Sequence, residues 1–138
     1  MLRNIGAVLL SVFIGSMFVG LMVRLNLSLY PMPENLTLEN EAGLKEHIES
    51  LPSKAFYLVI AGHVLGATIA AFISSKLAES HKFLMGIAGM IIMSVATMSM
   101  FLTFPHPIWV IIVDLLGVMI FGFIAARLGA GQLPNYEF

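Results

Sequence analysis

Four stretches of the chain are apolar almost without interruption, about residues 5–27, 55–75, 83–104 and 108–128, each bounded by charged, polar or proline-bearing positions. At about 1.5 Å of rise per residue, each is long enough to cross the roughly 30 Å hydrocarbon layer of a bilayer as a helix. None shows the alternating segments of about ten residues that mark an outer-membrane barrel, so all four are predicted to be transmembrane helices. The first run follows Met1-Leu2-Arg3 and has no Ala-x-Ala site after it. It is longer than the roughly 7–15 apolar residues of a secretory signal, and it is expected to be retained.

The connections are unequal. Segment 28–54 is polar and opens with Tyr30-Pro31-Met32-Pro33, where two prolines end the first helix. Beyond it, Leu38, Ala42, Leu44, Ile48 and Leu51 recur at spacings close to one helical face, while Glu39, Glu41, Lys45, Glu46 and Glu49 take the other positions. This pattern predicts a short amphipathic helix, lying at the membrane surface or across the end of the bundle and ending at Leu51-Pro52. The next connection, 76–82, is short and charged, and Phe104-Pro105-His106-Pro107 is a tight hairpin. The expected fold is all-α: one integral membrane domain over residues 1–138, with four transmembrane helices in an antiparallel bundle plus the amphipathic helix of the first connection.

Composition agrees with a bilayer as solvent. Hydrophobic residues make up 59% of the 138 positions and charged residues 11%, with mean hydropathy +0.95. A soluble domain carries about twice that charged fraction. The absence of cysteine excludes disulfides, thiolate nucleophiles, iron–sulfur clusters and thiolate zinc sites. A net charge of −1 without a basic run argues against nucleic acid as a partner. Arg3, Lys76, Lys82 and Arg127 fall at one end of the passes, and Arg24, Lys45 and Lys54 at the other. The positive-inside rule then places both termini in the cytoplasm, with Tyr30, Tyr57 and Trp109 as an aromatic belt at the opposite face. Asn26-Leu27-Ser28 and Asn35-Leu36-Thr37 match the glycosylation sequon, a pattern frequent by chance.

Helices in lipid associate through close packing and interhelical hydrogen bonds, since the tails are as apolar as leucine. Small residues are spaced for this on every pass: Gly62, Gly66, Ala70 and Ser74 on the second, Ser11 with Gly15 and Ser16 with Gly20 on the first, Gly86 and Gly89 on the third, Gly117 and Gly122 on the fourth. Gly15, Gly20, Gly62, Gly66 and Gly117 are the candidate packing positions. They serve either contacts within one bundle or, where a stripe is left over, a homo-oligomer or docking to a larger membrane complex.

Two ionisable residues lie well inside the apolar runs, His63 and Asp114. A central charge costs about 2.5–3.5 kcal/mol on insertion scales, so each needs a reason to be there. His63 is nine residues past Lys54 and Asp114 seven past Pro107, which puts them at matching depths on passes running the same way. His63 shares its face with Gly66, Ala67, Ala70 and Ser74 and is expected to point into protein. An imidazole beside a carboxylate can relay protons or hold an ion; it can equally pin two helices in register. Arg24 reads as an interfacial anchor that could also reach Asp114. The methionines of the third pass, Met90 and Met93 among them, read as packing rather than as a Cu(I) site. No histidine pair at matched depth is available for haem, and no nucleophile elbow, zincin motif or phosphate loop occurs. No enzymatic activity, metal or cofactor is expected.

At Tyr30-Pro31-Met32-Pro33, Ser50-Leu51-Pro52, Gly62-His63-x-x-Gly66 and His106-Pro107-x-Trp109 the chain resembles a family of small four-pass bacterial membrane proteins of uncharacterised activity. The resemblance runs over most of the chain; it implies a four-helix fold and the bacterial cytoplasmic (inner) membrane and says nothing of a substrate. The residues themselves leave two readings. The first is a homo-oligomer or accessory subunit without chemistry of its own, embedded in the lipid bilayer. The alternative is a proton- or ion-coupled translocation protein using His63 and Asp114.

Overall fold

The computed structural model describes residues 1–37 and 39–131. Among these residues the chain forms five helices: α1 (Leu2–Leu29), α2 (Glu41–Ser50), α3 (Ser53–Leu77), α4 (Lys82–Thr103) and α5 (Ile108–Ala130). Four of them, α1, α3, α4 and α5, are long and apolar enough to cross a membrane. Most outrun their apolar stretches by two or three residues, because side chains such as Arg3, Lys54 and Lys76 extend a helix without needing burial. Helix α4 instead stops at Thr103, one residue short of the apolar run. Phe104 precedes a proline, whose ring disfavours helical geometry in its neighbour, and it is extended at φ −115°, ψ 121°.

The other ends have equally local causes. Asn40 caps α2 by accepting a hydrogen bond from the Gly43 amide at 3.0 Å, and Leu51 goes extended before Pro52. Helix α5 starts directly after Pro107 and ends at Gly131, whose φ of 74° suits a residue without a Cβ. The turn between α3 and α4 is held by Asn4 of α1. Its side-chain oxygen accepts from the Glu79 amide at 2.9 Å, and its Nδ2 donates to the Ser80 carbonyl at 3.1 Å.

Helix α3 is the centre of the molecule, packed against α1, α4 and α5, while the backbones of α1 and α5 stay apart. Its small residues set the spacing. A Cβ added at Gly15 of α1 would lie 2.5 Å from the Gly66 carbonyl oxygen, and one at Gly62 would lie 2.9 Å from Met22 Cβ. Gly117 of α5 meets Val64 in the same way, at 2.6 Å, and Gly89 of α4 meets Ser74 Oγ, also at 2.6 Å. Ser11 and Ser74 share a buried hydrogen bond across α1 and α3, and Ser75 Oγ donates to the Ala126 carbonyl of α5 at 2.9 Å. Contacts such as Ser11–Ser74, Gly15–Gly66 and Met22–Gly62 step down α3 as they climb α1, whereas His63–Asp114 and Ser75–Ala126 climb α3 and α5 together.

Gly20 departs from its expected packing role within the chain. It lies five residues beyond Gly15, about 140° round the helix, so it faces outward, and a Cβ there would meet nothing within 4 Å. The outward faces are otherwise large and apolar: Leu9 and Phe13 of α1 are 63% and 62% exposed, and Leu116, Met119 and Ile120 of α5 are also exposed. Soluble monomers rarely present contiguous apolar surface beyond a few hundred Å². In α2, Leu44 and Ile48 are buried against Phe56, Phe101 and Val110, while Glu41, Lys45, Glu46 and Glu49 are exposed. Ala42, expected on the apolar face, is exposed as well, and Leu38 lies outside the described residues.

Because the Gly15 site is closed by backbone rather than by a flexible side chain, Gly15→Ala is expected to destabilise the fold by about 1–3 kcal/mol. Gly20→Ala should stay within about 0.5 kcal/mol of wild type. Reversible unfolding in detergent or bicelles measures both; equal effects would contradict the α1–α3 contact described here.

Candidate functional site

His63 and Asp114 meet at the interface of α3 and α5. His63 Nδ1 lies 2.6 Å from Asp114 Oδ2, with residue exposures of 2% and 0%. The approach is possible because Gly117, one turn beyond Asp114, takes Val64 into the space a side chain would fill. With the aspartate ionised, Nδ1–H donates to Oδ2, which fixes the tautomer and leaves a lone pair on Nε2. Nε2 and the second carboxylate oxygen, Oδ1, are both buried with no hydrogen-bond partner among the described residues. A buried polar atom without a partner costs about 1–3 kcal/mol, so the pair is under-satisfied on both sides.

One ring separates this pair from the turn between α4 and α5. Phe101 sits edge-on to His63 at a centroid distance of 5.9 Å and to His106 at 5.1 Å. Phe56 continues the cluster, 6.1 Å from His106 and 5.9 Å from Trp109. His106 Nδ1–H donates to the Phe104 carbonyl at 2.8 Å. Its pKa is held below the ordinary 6.5, chiefly because burial penalises the imidazolium; the Phe104 hydrogen bond opposes this, the His63 charge adds to it and Asp114 opposes it.

The remaining expected residues are scattered. Arg24 is exposed on α1 and forms no ion pair among the described residues; the carboxylate it could have reached is taken by His63. Gly15, Gly62, Gly66 and Gly117 lie in helix contacts and Gly20 on the outside. Met90 and Met93 fill the core beside Ala67, Ala70 and Val118, with Met90 against Gly122. Ser94 and Ser99 donate to the Met90 and Val95 carbonyls of their own helix at 2.9 and 3.0 Å, which commits both hydroxyls to the backbone. Among the described residues no three His, Cys, Asp or Glu side chains converge as metal ligands would.

Sequence reasoning did not single out Phe101 or Phe56, met Asn26 only as the start of a sequon, and placed His106 in the outer hairpin, able to sense pH only if a carboxylate of the acidic segment approached it. The available signal for Phe101 was its place near the end of α4, just before the hairpin that brings His106 back over the same end. No protein-family model, curated protein or solved structure matches the chain.

The lowered pKa of His106 makes stability depend on pH with a definite sign. The unfolded chain takes up this proton at higher pH than the folded one, so the contribution is complete above 6.5 and is lost as pH falls from there to the folded pKa. His106→Phe, which keeps the ring contacts, is expected to flatten the acid side of the stability profile below pH 6.5. A slope left unchanged or made steeper in pH-dependent unfolding would contradict the buried, neutral imidazole.

Proposed function

We propose that the chain is an integral membrane protein that couples proton or ion translocation to the His63–Asp114 pair, and that it has no enzymatic chemistry of its own. The observation that carries this reading is the pair itself, 2.6 Å apart in the apolar span with Nε2 and Oδ1 both unpartnered. An imidazole and a carboxylate together hold one negative charge, and burying a net charge is expensive. A single proton on Nε2 converts the pair into a neutral imidazolium–carboxylate unit. A pin between helices needs only the one bond, whereas two open acceptors supply the second state that a carrier requires.

The four long helices are read as an antiparallel transmembrane bundle, and α2 as an amphipathic helix over the end that bears His106. The Lys and Arg distribution and the family resemblance support a bacterial inner membrane with both termini cytoplasmic. The translocation reading is preferred to an oligomeric or accessory role because Gly15, Gly62, Gly66 and Gly117 are used up inside the chain. Gly6 and Gly20, with open space beside them, are what favours self-association as a second property of the same protein.

In proteoliposomes carrying a pH-sensitive dye, wild-type protein is expected to dissipate an imposed pH gradient. Asp114→Asn and His63→Gln, checked for native helicity and monodispersity, should fall to the rate of protein-free vesicles. Wild-type flux preserved in both folded variants would sink this reading.

A further inference from the structure

At the end covered by α2, a cavity of about 420 Å³ lies between helices α1, α3 and α4. That is ligand-sized, within the roughly 300–1,000 Å³ of small-molecule sites. Its walls are apolar, with Val23, Val59 and Met100 on three helices and Leu44 and Ile48 of α2 as the roof. Apolar space of this size gives water little to bond to and favours an apolar occupant.

The polar groups at its edge define the chemistry further. They are Asn26, Tyr30, His47 and His106, and among the described residues no Lys, Arg, Asp or Glu lines the cavity. A charged head group would therefore be buried without a counter-charge, which excludes it on energetic grounds. His106 gives its Nδ1 proton to the Phe104 carbonyl, so Nε2 is left as an acceptor. The Asn26 side-chain oxygen is buried with no partner. Both groups call for a donor on the ligand, and the neutral donor that joins an apolar body is a hydroxyl. The source is the bilayer: Leu27, on the wall, is 46% exposed, and Tyr57 and Trp109 stand with their rings 6.4 Å apart at the same end, as interfacial aromatics do.

We propose that this cavity binds a neutral, hydroxyl-bearing single-chain amphiphile taken from the adjacent leaflet. Its head group carries two hydroxyls, one donating to His106 Nε2 and the other to Asn26 Oδ1, and its chain lies along Val23, Val59 and Met100 beneath α2. The site is independent of proton exchange at His63 and Asp114 and would stand if that exchange were disproved.

The test is photolabelling of the full chain in nanodiscs with a diazirine-bearing 1,2-dodecanediol, and in parallel with the trimethylammonium and plain alkane analogues of the same chain. The alcohol should label the cavity wall at Met100 or Leu44, and unlabelled 1,2-dodecanediol should compete. His106→Phe and Asn26→Leu should each reduce cavity labelling at least about tenfold, equivalent to about 1.4 kcal/mol of binding. Val59→Trp, which fills the cavity, should abolish it. Labelling of the outward-facing Leu9 and Phe13 should be unchanged in all three, which also reports that the variants are folded. Cavity labelling by the cation or the alkane as strong as by the alcohol, labelling confined to outward-facing residues, or undiminished labelling of folded His106→Phe would overturn the proposal.

Discussion

In a solvent as apolar as the helices themselves, packing must rest on how closely backbones can come together, and in this chain that closeness is concentrated on α3. Gly62, Gly66, Ala67, Ala70, Ala71 and Ser74 give it a surface with almost no side-chain bulk, and three helices use it. The Gly15–Gly66 contact brings α1 to backbone distance; Gly89 lets α4 in beside Ser74, and Gly117 lets α5 in over Val64. Only after these approaches are made do the polar contacts become possible. The Ser11–Ser74 bond and the Ser75 bond to Ala126 are short-armed and would not span an ordinary Leu–Leu interface.

The His63–Asp114 bond is the most consequential product of that arrangement. It joins the central helix to α5 at a level where water is scarce, and its strength is raised by the same low dielectric that makes its two unpaired atoms costly. The imidazole is screened from the α2 end by Phe101, and beyond that ring lies a second histidine kept neutral by its own burial. Buried pair, apolar ring and neutral second histidine thus follow one another toward the α2 end of the bundle.

Much of this could be read from the residues, for a reason particular to helices: a fixed rise per residue converts sequence distance into depth. Two ionisable side chains at similar distances from the starts of like-directed passes therefore fall at one level, as His63 and Asp114 do. Rotation about the helix axis is harder. On α1 nearly every residue is apolar, so nothing in the pattern distinguishes the face of Gly15 from that of Gly20, and only the partner helix decides between them. Asn4 was invisible for a different cause. Its partners are the Glu79 amide, the Ser80 carbonyl and the Ser80 hydroxyl; backbone groups carry no sequence signature, and serine occurs in turns of every kind. Phe101 and His106 come together through the hairpin Phe104-Pro105-His106-Pro107, whose exact course depends on tertiary packing rather than on its two prolines.

The central claim is that His63 and Asp114 form one buried hydrogen-bonded pair with two open acceptors. Solid-state NMR of ¹⁵N-histidine-labelled protein in bilayers observes it directly, with His63 assigned by its loss in His63→Gln. The account predicts a His63 imidazole whose Nδ1–H is hydrogen-bonded to a carboxylate while Nε2 makes no hydrogen bond to the protein, with the Nδ1 signal shifted in Asp114→Asn. A His63 spectrum unchanged in Asp114→Asn, or one in which Nδ1 carries no hydrogen bond, would contradict it.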